Sequence, residues 1–127
     1  MNEDELAAGL APTPSYRYAE VVGSELFVAG QVPLDAASEL VGPSDPAAQT
    51  IQCLDNLRTL VELHGFGLAD IRHLTIYVVG EHQNLLDAWD AMVSWWNQQV
   101  PPATLLGVSN LGYSTQLVEI DARIVRG

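Results

Sequence analysis

The sequence predicts an α+β two-layer sandwich, one mixed sheet with two helices on a single face, in the order β-β-α-β-α-β-β. Three observations carry that prediction. Two segments place apolar residues at helical spacing between capping and breaking residues. Five short segments alternate or run apolar in the manner of strands. The 127 residues suffice for one core but not for two of ordinary size. A domain of roughly this length buries about two-thirds of its unfolded surface and folds without staples.

Taken in order, residues 1–11 read as a loose acidic tail on a single domain of 127 residues, with Pro12 and Pro14 extending the chain where it enters the fold. Tyr18–Val22 and Leu26–Ala29 are β-compatible runs, and Gly23-Ser24-Glu25 between them reads as a hairpin turn. Gly30–Pro46, with three prolines and two glycines, reads as a long loop. Asp45 then suits an N-cap, and Pro46 suits the first helical position because its missing N–H would be unpaired there anyway. Cys53, Leu57, Leu60, Val61 and His64 share one face of that helix, Leu54 flanks it, and Gly65 supplies a stop.

Ile71–Val79 alternates as a strand, with Leu74, Ile76 and Val78 on one side and His73, Thr75 and Tyr77 on the other. A second helix is predicted from about Asn84 to Gln99, striped by Leu85, Trp89, Met92, Val93 and Trp96. Asn84 and Asp87 resemble a capping box, and Pro101-Pro102 is the expected terminator. Ala103–Ser109 and Gln116–Val125 are the closing strands, joined by a turn containing Gly112. Val118, Ile120, Ala122 and Ile124 face one way, and Glu119, Asp121 and Arg123 the other. Helices cover only one side of such a sheet, so the opposite side, carrying Thr75, Tyr77 and Glu119, is expected to meet partner subunits in a closed symmetric oligomer.

Five Arg and no Lys stand against sixteen Asp plus Glu, a formal net charge of −11. That balance opposes partners held by phosphate neutralisation, so neither nucleic acid nor an anionic membrane surface is expected. Without Lys there is no Schiff-base lysine and no P-loop lysine. The lone Cys53 makes no internal disulfide, and no CxxC suggests zinc or redox chemistry. The acidic start is unlike a signal peptide, and no apolar run approaches the roughly 18 residues of a membrane span. A soluble, cytoplasmic protein is expected.

The sequence resembles the Rid family of small YjgF-type proteins from about Ala11 to Arg126. The residues that carry the resemblance are Tyr16, Gly30-Gln31-Val32-Pro33, Gln49, Leu54-Asp55-Asn56-Leu57, Pro102-Ala103 and Val118-Glu119-Ile120. It implies a chorismate-mutase-like fold and a homotrimer with three clefts between subunits. In the best-known branch it implies cofactor-free, metal-free hydrolysis of enamines and imines such as 2-aminoacrylate. There an arginine after the Pro-Ala pair grips the substrate carboxylate and a glutamate in the last strand handles water. The matching positions here, as the resemblance aligns them, are Tyr16, Ala29, Gly30, Asp87, Thr104 and Leu106 for substrate binding and Glu119 for water or proton handling.

Four of these depart from the branch's pattern: Thr104 replaces the arginine, Ala29 a small hydroxyl, Leu106 a frequent cysteine and Asp87 an asparagine. A guanidinium holds a carboxylate through two parallel bonds, whereas threonine offers one uncharged hydroxyl. Each charge-assisted bond contributes roughly 1.5–3 kcal/mol, so the arginine-dependent activity is not expected.

Each candidate also has a structural alternative. Glu119 is either a general base with a raised pKa or a structural carboxylate paired with Arg123 or a neighbouring subunit. Tyr16 is a ligand hydrogen-bond donor or an interface aromatic; Thr104 a ligand contact or a β-favouring residue. Whether Arg17 or Arg123 replaces the missing cation stays open. His64, His73 and His82 lack metal-like spacing, and Cys53 reads as a small hydrophobe. Trp95, off the stripe's centre, is a candidate for intersubunit packing.

Two functions follow. One is a trimer whose clefts handle a small imine, enamine or carbonyl compound lacking a carboxylate; the other is a non-catalytic small-molecule-binding or scaffold trimer. Ribonuclease activity, attached to some relatives, is opposed by the charge.

Overall fold

The computed structural model describes residues 2–127; Met1, the first residue of the expected tail, lies outside the described residues. A short helix α1 (Glu3–Ala7) precedes the hairpin β1 (Ala19–Val22) and β2 (Glu25–Val28). Helix α2 (Pro46–Leu63), a 3-10 turn at Leu68–Asp70, β3 (Ile71–Val79), α3 (His82–Trp95), β4 (Ala103–Val108) and β5 (Val118–Val125) follow. The five strands form one mixed sheet in the order β1-β2-β5-β3-β4, parallel between β3 and β4 and antiparallel elsewhere. This is the expected α+β sandwich, and alternation places its core. Leu74, Ile76, Val78, Val118, Ile120 and Ile124 are buried beneath Cys53, Leu54, Leu57 and Val61 of α2 and Ala88 and Met92 of α3.

The capping chemistry of α2 is as predicted. The Asp45 carboxylate accepts the amide of Ala48 at 3.0 Å with Pro46 at the helix start. Helix α3 differs at both ends. It starts at His82, not Asn84, and the Asn84 amide donates to the Val79 carbonyl at 2.9 Å, tying the helix to the end of β3. It stops at Trp95 because Asn97 and Gln98 adopt left-handed backbone (φ 53° and 64°), which breaks the hydrogen-bond ladder before the prolines are reached. Ala88 and Ala91 join Met92 as the buried residues of α3, since small side chains let the helix approach the sheet, while the tryptophans are partly buried. Trp95 packs within the protomer: its indole donates to Asp55 at 2.9 Å and Arg58 stacks over its ring at 5.0 Å.

The closing strands are not a hairpin. β5, with three of its side chains fully buried, inserts between β2 and β3, and the connection of residues 109–117 crosses the end of β3 to reach it. Residues 3–11 are not loose either. Glu5, 6% exposed, meets His64 Nε2 at 2.6 Å, and Leu10 and Ala11 are buried. His64 therefore caps α2 and latches α1. Asn2 donates to Tyr16 O at 3.1 Å and to Thr13 Oγ1, and accepts from Tyr18 N at 3.3 Å. The Tyr18 hydroxyl donates to Ala11 O, and burial, with Tyr16, Glu5 and Tyr113 nearby, pushes its pKa up to about 12. No helix among the described residues is long and apolar enough to cross a membrane.

Candidate functional site

Strand β5 turns Glu119 away from the helices, because Val118 and Ile120 on either side are committed to the core. Its carboxyl opens into a cleft of about 350 Å³ whose walls come from three loops and β5. The segment before β1 supplies Pro14 and Tyr16, the start of the long loop supplies Ala29, Gly30 and Val32, and the segment before β5 supplies Gly112, Tyr113 and Gln116.

Polar bonds fix each wall. Gln31 pairs with Ile120 through both backbone bonds, at 2.7 and 3.0 Å, and its side chain donates to Ala29 O at 2.8 Å. The Asn56 amide on α2 donates to Val32 O and Leu34 O, each at 3.0 Å. Gln49, fully buried, accepts the amides of Leu117 and Val118 at 2.7 and 3.2 Å and so aligns the entry to β5. These three contacts explain why Gln31, Gln49 and Asn56 stand where they do: each satisfies backbone that leaves the sheet to build the cleft.

Gly30 lies so close to Glu119 that a Cβ there would sit 2.2 Å from Oε2 and 3.0 Å from Cδ. Only glycine admits the carboxyl at this spot. The buried Gln116 amide donates to Glu119 Oε1 at 3.2 Å and to Val118 O at 2.9 Å, and its carbonyl accepts the Tyr113 amide at 3.3 Å. Burial raises the Glu119 pKa above the usual carboxylate value; the Gln116 bond opposes the shift and the Asp121 charge adds to it. Burial likewise raises the Tyr16 phenol, helped by Tyr113 and Glu119. The Cys53 thiol, behind β5, is pushed well up by burial and by Glu119, which leaves it inert.

Of the candidate residues, Tyr16, Ala29, Gly30 and Glu119 come together in this cleft. Asp87, Thr104 and Leu106 do not. Asp87 stands on α3, across the sheet from Glu119, and accepts from Gln83 at 2.9 Å. Leu106 pairs with Tyr77, which pairs with Glu119, so Leu106 and Glu119 share a cross-sheet row about 10 Å apart at two strand spacings. Thr104 lies one row along, paired with Thr75, and its hydroxyl is 3.3 Å from His73 Nε2.

Within the protomer neither arginine lines the cleft. Arg17 is paired with Glu20 at 2.7 Å, and Arg123, four residues along β5, stands about 13 Å from Glu119 along the strand. Glu119 bonds to Gln116 rather than pairing with Arg123. Tyr113 and Gln116 were not legible as site residues. The one available signal was a glutamine three residues before the glutamate in an otherwise apolar run. Among the described residues no group of three His, Cys, Asp or Glu is placed to hold a metal ion.

Known proteins place this geometry in context. A family described as endoribonuclease L-PSP matches residues 8–125. The 2-iminobutanoate/2-iminopropanoate deaminase of Escherichia coli K12 is 29% identical over 107 residues, covering 83% of this chain and 82% of that protein. A RutC family protein of Pyrococcus horikoshii is 28% identical over 114 residues, covering 88% and 89%. The crystal structure of the YjgF gene product from E. coli superposes with a TM-score of 0.80 at 26% identity over 92% of each chain.

Proposed function

The chain belongs to the Rid family, and on that premise we propose that it works as a homotrimer whose clefts, with no cofactor, hydrolyse a small imine or enamine, or process a related carbonyl compound, lacking a carboxylate. The observation that carries this reading is the Glu119 carboxyl. It is half-buried, raised in pKa, closed in by Gly30 and Gln116, and faces a cleft lined by no cation among the described residues.

The chemistry follows from that placement. Glu119 in its carboxylate form takes a proton from water as the water oxygen bonds to the C=N carbon; the C=N electron pair moves to nitrogen, which receives that proton from Glu119 to give the carbinolamine. Glu119 then takes the hydroxyl proton and passes it to nitrogen as the C–N bond breaks and the carbonyl forms, releasing amine or ammonia. Water and imine are consumed, and Glu119 ends in its starting form. Burial, by raising the pKa of this carboxyl, makes its ionised form a stronger base than an unshifted carboxylate. Tyr16 offers a phenol to the same ligand.

Trimer formation is supported by the helix-free face, where Val22 (54% exposed), Phe27 (52%) and Leu106 (42%) stand in water in the single protomer. A neighbour packed there brings Thr104 and Leu106, and with Thr104 its bonded His73, toward the next cleft. The E. coli relative carries a deaminase name, but its substrates are 2-imino acids, and Thr104 offers no bidentate hold on an acid. Endoribonuclease activity is opposed by the net charge of −11 and the absence of Lys.

Purified protein presented with carboxylate-free imines is expected to release ammonia or amine, and Glu119→Gln to abolish it. Unchanged turnover in that variant overturns the role of Glu119. Thr104→Arg is expected to create hydrolysis of 2-aminoacrylate; binding without turnover in any of these proteins favours the scaffold reading instead.

A further inference from the structure

The cleft's own groups say more about the charge of what enters it. Glu119 Oε1 is occupied by the Gln116 amide, whereas no protein donor reaches Oε2 among the described residues. An ionised carboxylate has about four acceptor sites, so at least one is left for a donor on the ligand. Within the protomer the remaining polar side chains at the ligand face, the Tyr16 and Tyr113 hydroxyls, donate or accept equally well, and so do the Thr104 hydroxyl and the His73 imidazole bonded to it, which a neighbour on the helix-free face would add. Asp121 lies two residues along the same strand face and adds negative potential. Within the protomer Arg17 pairs with Glu20 at the surface and Arg123 stands too far along β5. Pro14, Ala29 and Val32 give the cleft an apolar wall, and both tyrosine rings are more than a third exposed, with room for a partner ring.

We infer that the cleft selects cationic nitrogen: a protonated imine, or the ammonium ion derived from it, with N–H donated to Glu119 Oε2 and a small apolar or aromatic body against Tyr16 and Tyr113. An iminium is the more electrophilic form of the substrate, so the same contact that selects it also brings it activated. The inference rests on the reading of this cleft as the ligand site. It goes beyond that reading in assigning the ligand a positive charge, and in making Glu119 and the Tyr16–Tyr113 pair the determinants of selectivity. A cation near Glu119 also favours its ionised form, so binding releases protons from the fraction that is still protonated.

The test uses three probes of similar size on the intact protein at pH 8: benzylammonium, benzyl alcohol and benzoate, titrated by NMR shifts of the tyrosine resonances. Benzylammonium is expected to bind at least about tenfold more tightly than benzoate, with affinity falling as salt is raised. Glu119→Gln is expected to remove the preference for benzylammonium over benzoate. The salt dependence in the unmodified protein decides the matter should that variant fold poorly. Benzoate binding as tightly as benzylammonium, a salt-independent preference, or no shift with any probe overturns the inference. Imine turnover with no cation preference would sink it and leave the hydrolase reading standing. Cation preference with no turnover would sink the hydrolase and leave the inference standing.

Discussion

Gly30→Ala is a test of the site's geometry in which the magnitude follows from the structure. The added methyl would lie 2.2 Å from Glu119 Oε2, 3.0 Å from Cδ and 3.3 Å from Cγ. The backbone beside it cannot retreat cheaply, because Gln31 is held to Ile120 by two bonds. The carboxyl must instead withdraw by about 1 Å to reach ordinary contact distance. That movement strains or breaks the Gln116 bond to Oε1. Overpacking costs roughly 1–3 kcal/mol, toward the low end when a side-chain tip is what moves, and a lost bond to a half-buried charge adds a comparable amount; about 2–3 kcal/mol in all is expected. On the hydrolase reading, turnover is expected to fall further, by about 100-fold, because misplacing a reacting group by 1 Å can be that costly.

Urea denaturation at fixed protomer concentration, applied to the wild type, Gly30→Ala, Glu119→Ala and the double variant, isolates the contact. In the Glu119→Ala background there is no carboxyl to displace, so the glycine substitution should cost almost nothing, a coupling of at least about 1 kcal/mol. Gly67→Ala, where no atom lies within 4 Å of the added Cβ, should be within about 0.5 kcal/mol of wild type. A Gly30→Ala cost that is the same with and without Glu119 would refute the reasoning.

The stability of Glu119→Gln should depend on pH differently from that of the wild type. Burial makes the folded protein hold the Glu119 proton to higher pH than the unfolded chain does, so this group's contribution falls as pH rises from about 4.5 and levels once the folded group has ionised. The glutamine variant lacks that fall and gains relative to wild type with rising pH; parallel curves would contradict this. Gln116→Leu removes the amide that favours the ionised form, so the Glu119 pKa should rise further in an NMR titration, with a stability loss of roughly 1–3 kcal/mol as the Val118 carbonyl is left with only the weak Cys53 thiol donor and the Tyr113 amide loses its acceptor. Glu5→Ala unlatches α1 from His64, and should cost about 1–2 kcal/mol and speed hydrogen exchange across residues 12–18, the segment that carries Tyr16. Leu106→Glu should shift sedimentation from a trimer toward smaller species if the helix-free face is the assembly surface.

Much of the fold was legible because local chemistry agreed with it. Asp45 and Pro46 start α2 by capping, and the alternation of Leu74, Ile76 and Val78 sets the buried face of β3 without reference to anything distant. The misreadings fell where contacts between elements outweigh a residue's own local preference. Asn84 is a good capping residue locally, but it is spent on the carbonyl of Val79. The acidic start of the chain looks solvated until His64, 59 residues away, takes Glu5 out of water.

The site divides in the same way. Tyr16, Gly30 and Glu119 were visible as residue types in a recognisable order. That Gly30 yields its Cβ space to the Glu119 carboxyl was not, nor was the grip of Gln116 on Oε1, because both are distances across the fold rather than spacings along it. The chain's order alone determined that it would fold as an α+β sheet and carry strong negative charge. Only the packed structure decided where the negative charge gathers and what keeps company with it. Burial sets the cost of ionising a carboxyl, and burial is made by residues that meet only after the chain has closed on itself.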